Sequence, residues 1–141
     1  MIRNFKKSDL DAILAIEKDS FPKLPYNWVT FLYYATVYPD NFLVYWCDET
    51  GKSVHKIVGY IIFYPQGHIV SIAVHSEYRR RGIGTELVKA VLRRTHGRAS
   101  VEVRESNEVA KRFYTHLGFS QETRLSRYYG DEDAIVMVRK K

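Results

Sequence analysis

Cysteine is almost absent: Cys47 is the only one in the chain. Neither an internal disulfide nor a cysteine-based zinc cluster can be built, and nothing marks an oxidising compartment. Cys47 itself reads as a small, half-buried core residue. Long apolar runs are also missing, since no stretch approaches the ~18 consecutive apolar residues that a membrane span requires. The opening Met1 to Lys7 lacks the apolar stretch of a secretion signal. The expectation is a soluble, cytoplasmic protein with no membrane partner. His68, His75 and His116 show no His-x-x-x-His spacing, and the acidic turn Asp131-Glu132-Asp133 lacks the ligand spacing of a calcium loop. No metal is therefore expected, and the acidic turn reads as a solvated hairpin tip. There is no aromatic-basic ribonucleoprotein motif and no zinc-finger spacing, so direct nucleic-acid recognition is not expected. Two phosphate loops, Gly-x-x-x-x-Gly-Lys-Ser/Thr and Gly-x-Gly-x-x-Gly, are absent, as are internal repeats and low-complexity tracts.

What is present suits one globular domain over residues 1–141, with 45% hydrophobic and 27% charged residues. A chain of this size buries a real core. Lys plus Arg number 22 against 16 Asp plus Glu, a formal charge of +6 with neutral histidines. That balance favours anionic partners. Much of the excess is gathered in Arg79-Arg80-Arg81, Arg93-Arg94 and Arg139-Lys140-Lys141.

Ile2 to Phe5 reads as a short strand, and Ser8 as the N-cap of a helix over 9–20 whose apolar face is Leu10, Ile13, Leu14 and Ile16. Phe21-Pro22-Lys23-Leu24-Pro25-Tyr26 breaks that helix, and a second follows over 28–36. From Phe42 the residues turn β-branched and aromatic. Strands are expected over 42–46 and 57–64, joined by a turn at 48–52, and again over 68–74. A helix from Gly84 to about Thr95 carries Leu87, Val88, Val91 and Leu92 as one stripe. A strand over 99–103, a helix over 107–116 stopped by Gly118, and a hairpin of 119–128 with 134–138 complete the order βααβββαβαββ. This interleaving predicts a mixed α/β sheet with helices on both faces.

The informative element is the strand Ile72-Ala73-Val74 running into Arg79-x-x-Gly82-x-Gly84 at a helix start. Glycines admit a ligand close to the backbone, free N–H groups point outward, and the helix dipole adds partial positive charge where a pyrophosphate could sit. A Gly-x-Gly alone equally suits a plain strand-to-helix turn. The wider pattern resembles the GNAT N-acetyltransferases, whose signature is Arg/Gln-x-x-Gly-x-Gly/Ala after an apolar strand. The likeness continues through Val101-Glu102-Val103-Arg104-Glu105-Ser106-Asn107, Ala110-x-x-Phe113-Tyr114-x-x-Leu117-Gly118-Phe119 and Tyr128-Tyr129-Gly130-Asp131-Glu132-Asp133-Ala134. It is similar to the subgroup that acetylates protein N-termini, the ribosomal-protein-alanine and Ard1 types, closely from Ile72 to Met137 and in outline before that.

The resemblance implies a GNAT fold, an α/β architecture with a mostly antiparallel central sheet splayed between strands 4 and 5. It implies acetyl-CoA as cosubstrate. The backbone of Ile72, Ala73 and Val74 would pair with the pantetheine amides, Arg79, Arg80, Arg81, Gly82, Ile83, Gly84 and Thr85 would surround the pyrophosphate, and Asn107 would meet the pantetheine side. It also implies that Phe21, Tyr26, Tyr128 and Tyr129 line the acceptor groove. In Ard1 types the first inter-helix loop reads Leu-Pro-Glu-Asn-Tyr, whereas here Leu24-Pro25-Tyr26-Asn27-Trp28 places a tyrosine where the glutamate stands.

Acyl transfer to an amine needs one group to take a proton from the nucleophile and one to protect the leaving thiolate. Glu102, between Val101 and Val103, points to the opposite sheet face from both, either to an ion pair or into a wet cleft. By resemblance it is the general base; the residue-level alternative is an exposed carboxylate or a partner for Arg104. Tyr114 matches the family's general acid, although Ala110, Phe113, Tyr114 and Leu117 also make an apolar helix face on which a tyrosine simply packs. The implied acceptors are protein N-termini, ribosomal proteins among them, reached in a ternary complex. A small amine, polyamine or protein lysine is the alternative acceptor, and an acetyl-CoA-sensing module without turnover is the alternative class.

Overall fold

The computed structural model describes residues 1–48 and 55–141. Its elements are β1 (Ile2–Asn4), α1 (Leu10–Ser20), α2 (Trp28–Val37), β2 (Phe42–Asp48), β3 (His55–Phe63), β4 (Ile69–Val74), α3 (Ile83–Arg94), β5 (Arg98–Arg104), α4 (Glu108–His116), β6 (Ser120–Leu125) and β7 (Ala134–Lys140). The order βααβββαβαββ is the expected one. From Glu49 onward the turn expected over 48–52 lies outside the described residues. Among the described residues no helix is long and apolar enough to cross a membrane.

The strands form two antiparallel ladders, β1-β2-β3-β4 and β5-β7-β6. β3 is buried on both faces and divides the core in two. On one side Val58, Ile61 and Phe63 meet Leu87, Val88 and Val91 of α3 and Tyr114 of α4. On the other, Ile57, Tyr60 and Ile62 meet Ile13 and Ile16 of α1 and Phe31 of α2. Helices thus cover both faces. The fully buried Leu87, Val88 and Val91 each contribute about 1.5–3 kcal/mol of burial, which is what holds α3 on the sheet.

Three local expectations are corrected. Ser8 does not cap α1: Asp9 Oδ2 accepts the Lys6 N–H at 2.8 Å, and Arg3 holds the same carboxylate at 2.8 and 2.9 Å. A short 3-10 turn, Lys7–Asp9, therefore precedes the helix. The strand expected over 119–128 spans only Ser120–Leu125. Phe119 N–H is still bonded to Tyr114 O of the preceding helix, and Arg127, with φ +49°, turns its N–H to Asp133 Oδ1 at 2.8 Å. Nor is the Asp131-Glu132-Asp133 turn merely solvated. Arg104 Nη1 bonds Asp131 at 3.0 Å and Glu132 at 3.1 Å, and Arg124 Nη1 bonds Asp133 at 3.1 Å. Cys47, half-buried and packed against the core, is as expected.

Candidate active site

The two ladders come together and then part between β4 and β5. They touch where Ser100 N–H donates to Gly67 O at 3.1 Å, beside a single parallel bridge between His68 and Ser100. Beyond that point no ladder joins them, and a cavity of about 660 Å³ opens between Ile69–Ile72 and Val101–Arg104. Its remaining wall comes from the loop after α1, from α4, and from the turn before β7. The splay expected between strands 4 and 5 is this opening.

Glu102 faces the cavity because β5 alternates, with Val101 and Val103 buried on the opposite face. Arg104 is engaged by Asp131 and Glu132, so it is not the partner of Glu102. Instead His68 Nε2 lies 2.8 Å from the buried Glu102 Oε2, out of line for a good hydrogen bond, and Tyr128 O–H donates to Oε1 at 3.3 Å. His68 Nδ1 stands 2.8 Å from Ser100 Oγ. A tautomer with the proton on Nε2 serves both neighbours, accepting from the serine and facing the carboxylate. Burial pushes the Glu102 carboxyl up, but His68 and Tyr128 outweigh it and hold it below the usual carboxylate range.

Tyr114 reaches the same cavity from α4. It is 3% exposed, its ring packs on Phe113 and Phe119, and its hydroxyl makes no hydrogen bond among the described residues. Burial pushes its phenol well above the ordinary value, so the hydroxyl keeps its proton. Tyr129, also on the cavity wall, is pushed up to about 12 by burial and by the nearby Glu102. Asn107 Oδ1 accepts the Ala110 N–H at 3.0 Å and so caps α4, which leaves its amide NH₂ for the cavity it lines.

The phosphate-loop residues lie at the far end of β4. Gly82, with φ +80°, precedes α3 as its N-cap, and a Cβ built there meets nothing within 4 Å. The first helical bond runs from Glu86 N–H to Gly82 O at 3.0 Å, so the N–H groups of Ile83, Gly84 and Thr85 are the free donors of the helix start. Arg80 is also left-handed, with φ +64°, a conformation that non-glycine residues adopt only where neighbours fix it. At Gly84 a Cβ would stand 3.4 Å from the Phe113 ring of α4, an ordinary contact distance, so packing alone does not demand glycine there. A backbone of outward N–H groups over open space fits a pyrophosphate. The three arginines divide. Arg79 turns inward, donating to Val74 O at 3.1 Å and Ser20 Oγ at 3.2 Å, and Arg81 stacks over Tyr78 at 4.9 Å. Arg80 has no side-chain partner among the described residues.

Of the expected site residues, Glu102, Tyr114, Asn107, Ile72, Phe21, Tyr26 and Tyr129 line one cavity. Tyr128 joins them through Glu102, while Ala73, Val74 and 79–85 continue along β4 to the start of α3. Two site residues lie outside the expected set: His68, read in the sequence only as a histidine without metal-ligand spacing, and Glu17. His68 carried no local signal, because only the parting of the ladders brings it to Glu102. Glu17 did carry one: it is a carboxylate at i+7 on the stripe Leu10, Ile13, Leu14 that packs α1 on the sheet.

The family model of the acetyltransferase (GNAT) family matches residues 10–119. The chain belongs to this family. It is 39% identical to an uncharacterised N-acetyltransferase of Methanocaldococcus jannaschii, with 100% of this chain and 92% of the relative covered. An N-alpha-acetyltransferase of Sulfurisphaera tokodaii is 34% identical over 97% of this chain and 90% of its own length. Among solved structures, Ard1 from Thermoplasma volcanium superposes with a TM-score of 0.83 at 30% identity, covering 99% of this chain and 95% of that one. The GNAT acetyltransferase fold places β4, β5 and the α3 start as described above. Among the described residues no cluster of His, Cys, Asp and Glu suited to a metal occurs.

Proposed function

We propose that this GNAT protein transfers the acetyl group of acetyl-CoA to the free α-amine of protein N-termini, by direct attack in a ternary complex. The observation that carries the reading is the cavity between β4 and β5, into which a carboxylate held ionised and a phenol held protonated both open. Similarity to the N-alpha-acetyltransferase of Sulfurisphaera tokodaii supports the acceptor class. The free N–H groups at the α3 start and Arg80 hold the pyrophosphate, the β4 backbone at Ile72 to Val74 takes the pantetheine amides, and the Asn107 amide faces the same arm. The whole chain is read as one such domain.

The roles follow from the two protonation states. Glu102, with His68 beside it, takes the proton of the attacking amine as the N–C bond forms, directly or through one water. Tyr114 gives its proton to the sulfur as the C–S bond breaks, so the products are an acetamide and a thiol. An α-amine has a reference pKa of ~7.7–8.0 against ~10.4 for lysine, so near pH 7 its neutral form costs roughly 1 kcal/mol, and that of lysine nearer 5. A base of carboxylate strength matches the first and not the second. Phe21, Tyr26, Tyr128 and Tyr129 are the acceptor-side residues. Ribosomal proteins are acceptors by family likeness.

The test is CoA release from acetyl-CoA with free-N-terminus peptides beginning Ser, Ala, Met-Leu and Met-Glu, with N-blocked lysine peptides, and with polyamines. Turnover on the free-N-terminus peptides is the expected result. Turnover on polyamines or blocked lysine peptides alone would overturn the acceptor assignment, and tight acetyl-CoA binding with no turnover would favour a sensor.

A further inference from the structure

Glu17 has no part in the chemistry above, yet it is one of the most buried charged side chains in the molecule, 2% exposed and on the cavity wall. Both its oxygens are in use. Oε2 accepts the Tyr26 N–H at 2.9 Å, and Oε1 accepts a short hydrogen bond from the Tyr60 hydroxyl, whose oxygen also stands 2.8 Å from Ser71 Oγ on β4. A carboxylate so occupied is not available to an amine, so its role lies in what it holds.

What it holds is the loop from Phe21 to Tyr26, which forms the acceptor-side wall of the cavity. Pro22 and Pro25 have no N–H to give, and neither Lys23 nor Leu24 makes a backbone hydrogen bond among the described residues. Leu24 is 81% exposed, so the loop is not pinned by burial at its tip. For residues 22–26, among the described residues, the one hydrogen bond to the rest of the chain is Tyr26 N–H to Glu17. The other end of that tether is Tyr60 and Ser71 on β3 and β4, the sheet that carries the cavity floor. We infer that Glu17 is a positioning residue that fixes the 21–26 loop relative to β4 and so sets the affinity for the acceptor, but not for acetyl-CoA. This rests on the reading of that loop as the acceptor side.

Three substitutions separate the tether from general stability. Glu17→Leu removes both acceptor oxygens at similar volume, Glu17→Gln keeps an oxygen for Tyr26 and an NH₂ for the Tyr60 oxygen, and Tyr60→Phe leaves the Glu17–Tyr26 bond in place. In steady-state assays with a free-N-terminus peptide, Glu17→Leu is expected to raise the acceptor KM about tenfold, ~1.4 kcal/mol. Its kcat and its calorimetric Kd for acetyl-CoA should stay within about twofold of the parent. Glu17→Gln should stay near the parent in all three, while Tyr60→Phe, which cuts the tether at its sheet end, should raise the acceptor KM part of the way and leave kcat and the acetyl-CoA Kd near the parent. An unchanged acceptor KM in Glu17→Leu, an equal loss in Glu17→Gln, or an equal loss of acetyl-CoA affinity would overturn the assignment.

Two further readouts depend on no acceptor. Tryptic cleavage after Lys23 should accelerate in Glu17→Leu and not in Glu17→Gln. In the parent, amide-resolved hydrogen exchange should show Tyr26 N–H protected while Lys23 and Leu24 exchange fast. Should no peptide be turned over, the substrate reading fails and these two decide the tether: unchanged cleavage, or a Tyr26 amide as fast as its neighbours, would sink it. The exchange measurement also stands alone if Glu17→Leu does not fold.

Discussion

Tyr114 and Glu102 share a cavity but are tuned in opposite directions by different means. Tyr114 is raised first by burial against Phe113 and Phe119 and then by the nearby Tyr129, so it needs no hydrogen-bond partner to keep its proton. Glu102 is also partly buried, and it stays low chiefly because His68 and then Tyr128 stand beside it. Tyr114→Phe removes no hydrogen bond among the described residues, so the melting temperature and the acetyl-CoA Kd should be nearly unchanged. Its kcat should fall by about 10²–10⁴-fold, the usual worth of a general acid. Parent-like turnover would remove the assignment. For Glu102 the sign runs through its lowered folded pKa: its contribution to stability is complete above the unfolded value of ~4.3 and is lost as pH falls through the lower folded one. Glu102→Gln should therefore flatten the melting temperature against pH only below that value. The parent's kcat/KM should lose activity on acidification much earlier, along the ~7.7–8.0 titration of the acceptor amine. An acid limb centred near pH 4 would contradict this. Both residues stand out in the motif, and both line the same cavity. His68 does not stand out, because a histidine at the start of a strand looks alike whether it meets solvent or a carboxylate 34 residues away in sequence.

At the scale of elements, periodicity did most of the work and side-chain competition set its limits. The stripe of α3 and the alternation of β5 read correctly, because each is a local consequence of one face being buried. The ends depart from the pattern where a side chain fixes the adjoining turn: Asp9 closes a 3-10 turn ahead of α1, and Asp133 turns the chain at Arg127. Glu17 shows the same limit from the other side, since a carboxylate on an apolar stripe signals a buried partner without naming it. The α3 start permits a sharper test. At Gly82 a side chain finds open space but not an allowed backbone, φ being +80°. Gly82→Val should thus lower folding stability by only about 1–2 kcal/mol, the cost of a left-handed residue. It should weaken acetyl-CoA binding by tenfold or more in calorimetry, because the added atoms occupy the space over the free N–H groups. Unchanged affinity would mean that the pyrophosphate lies elsewhere.

The molecule as a whole is a basic body with a carboxylate-bearing cleft. Asp131 and Glu132 on the cavity wall share the single charge of Arg104, and with Glu17, Glu102 and Lys23 also lining it the acceptor opening is formally negative. The far field follows the net charge of +6. A peptide whose positions beyond the first few residues are acidic is therefore drawn in, and a lysine-rich one is repelled, over distances comparable with the screening length of ~8–10 Å at physiological salt. Placing the first residue depends on the cavity and should not respond to salt; capture of the remainder should. With two peptides sharing their first three residues, raising ionic strength from about 0.01 to 0.15 M should lower kcat/KM for the acidic one and raise it for the basic one, with kcat constant for both. Parallel changes for the two peptides would show that salt acts on the catalyst or on acetyl-CoA rather than on acceptor capture, and would remove net charge from the account of which N-termini this protein selects.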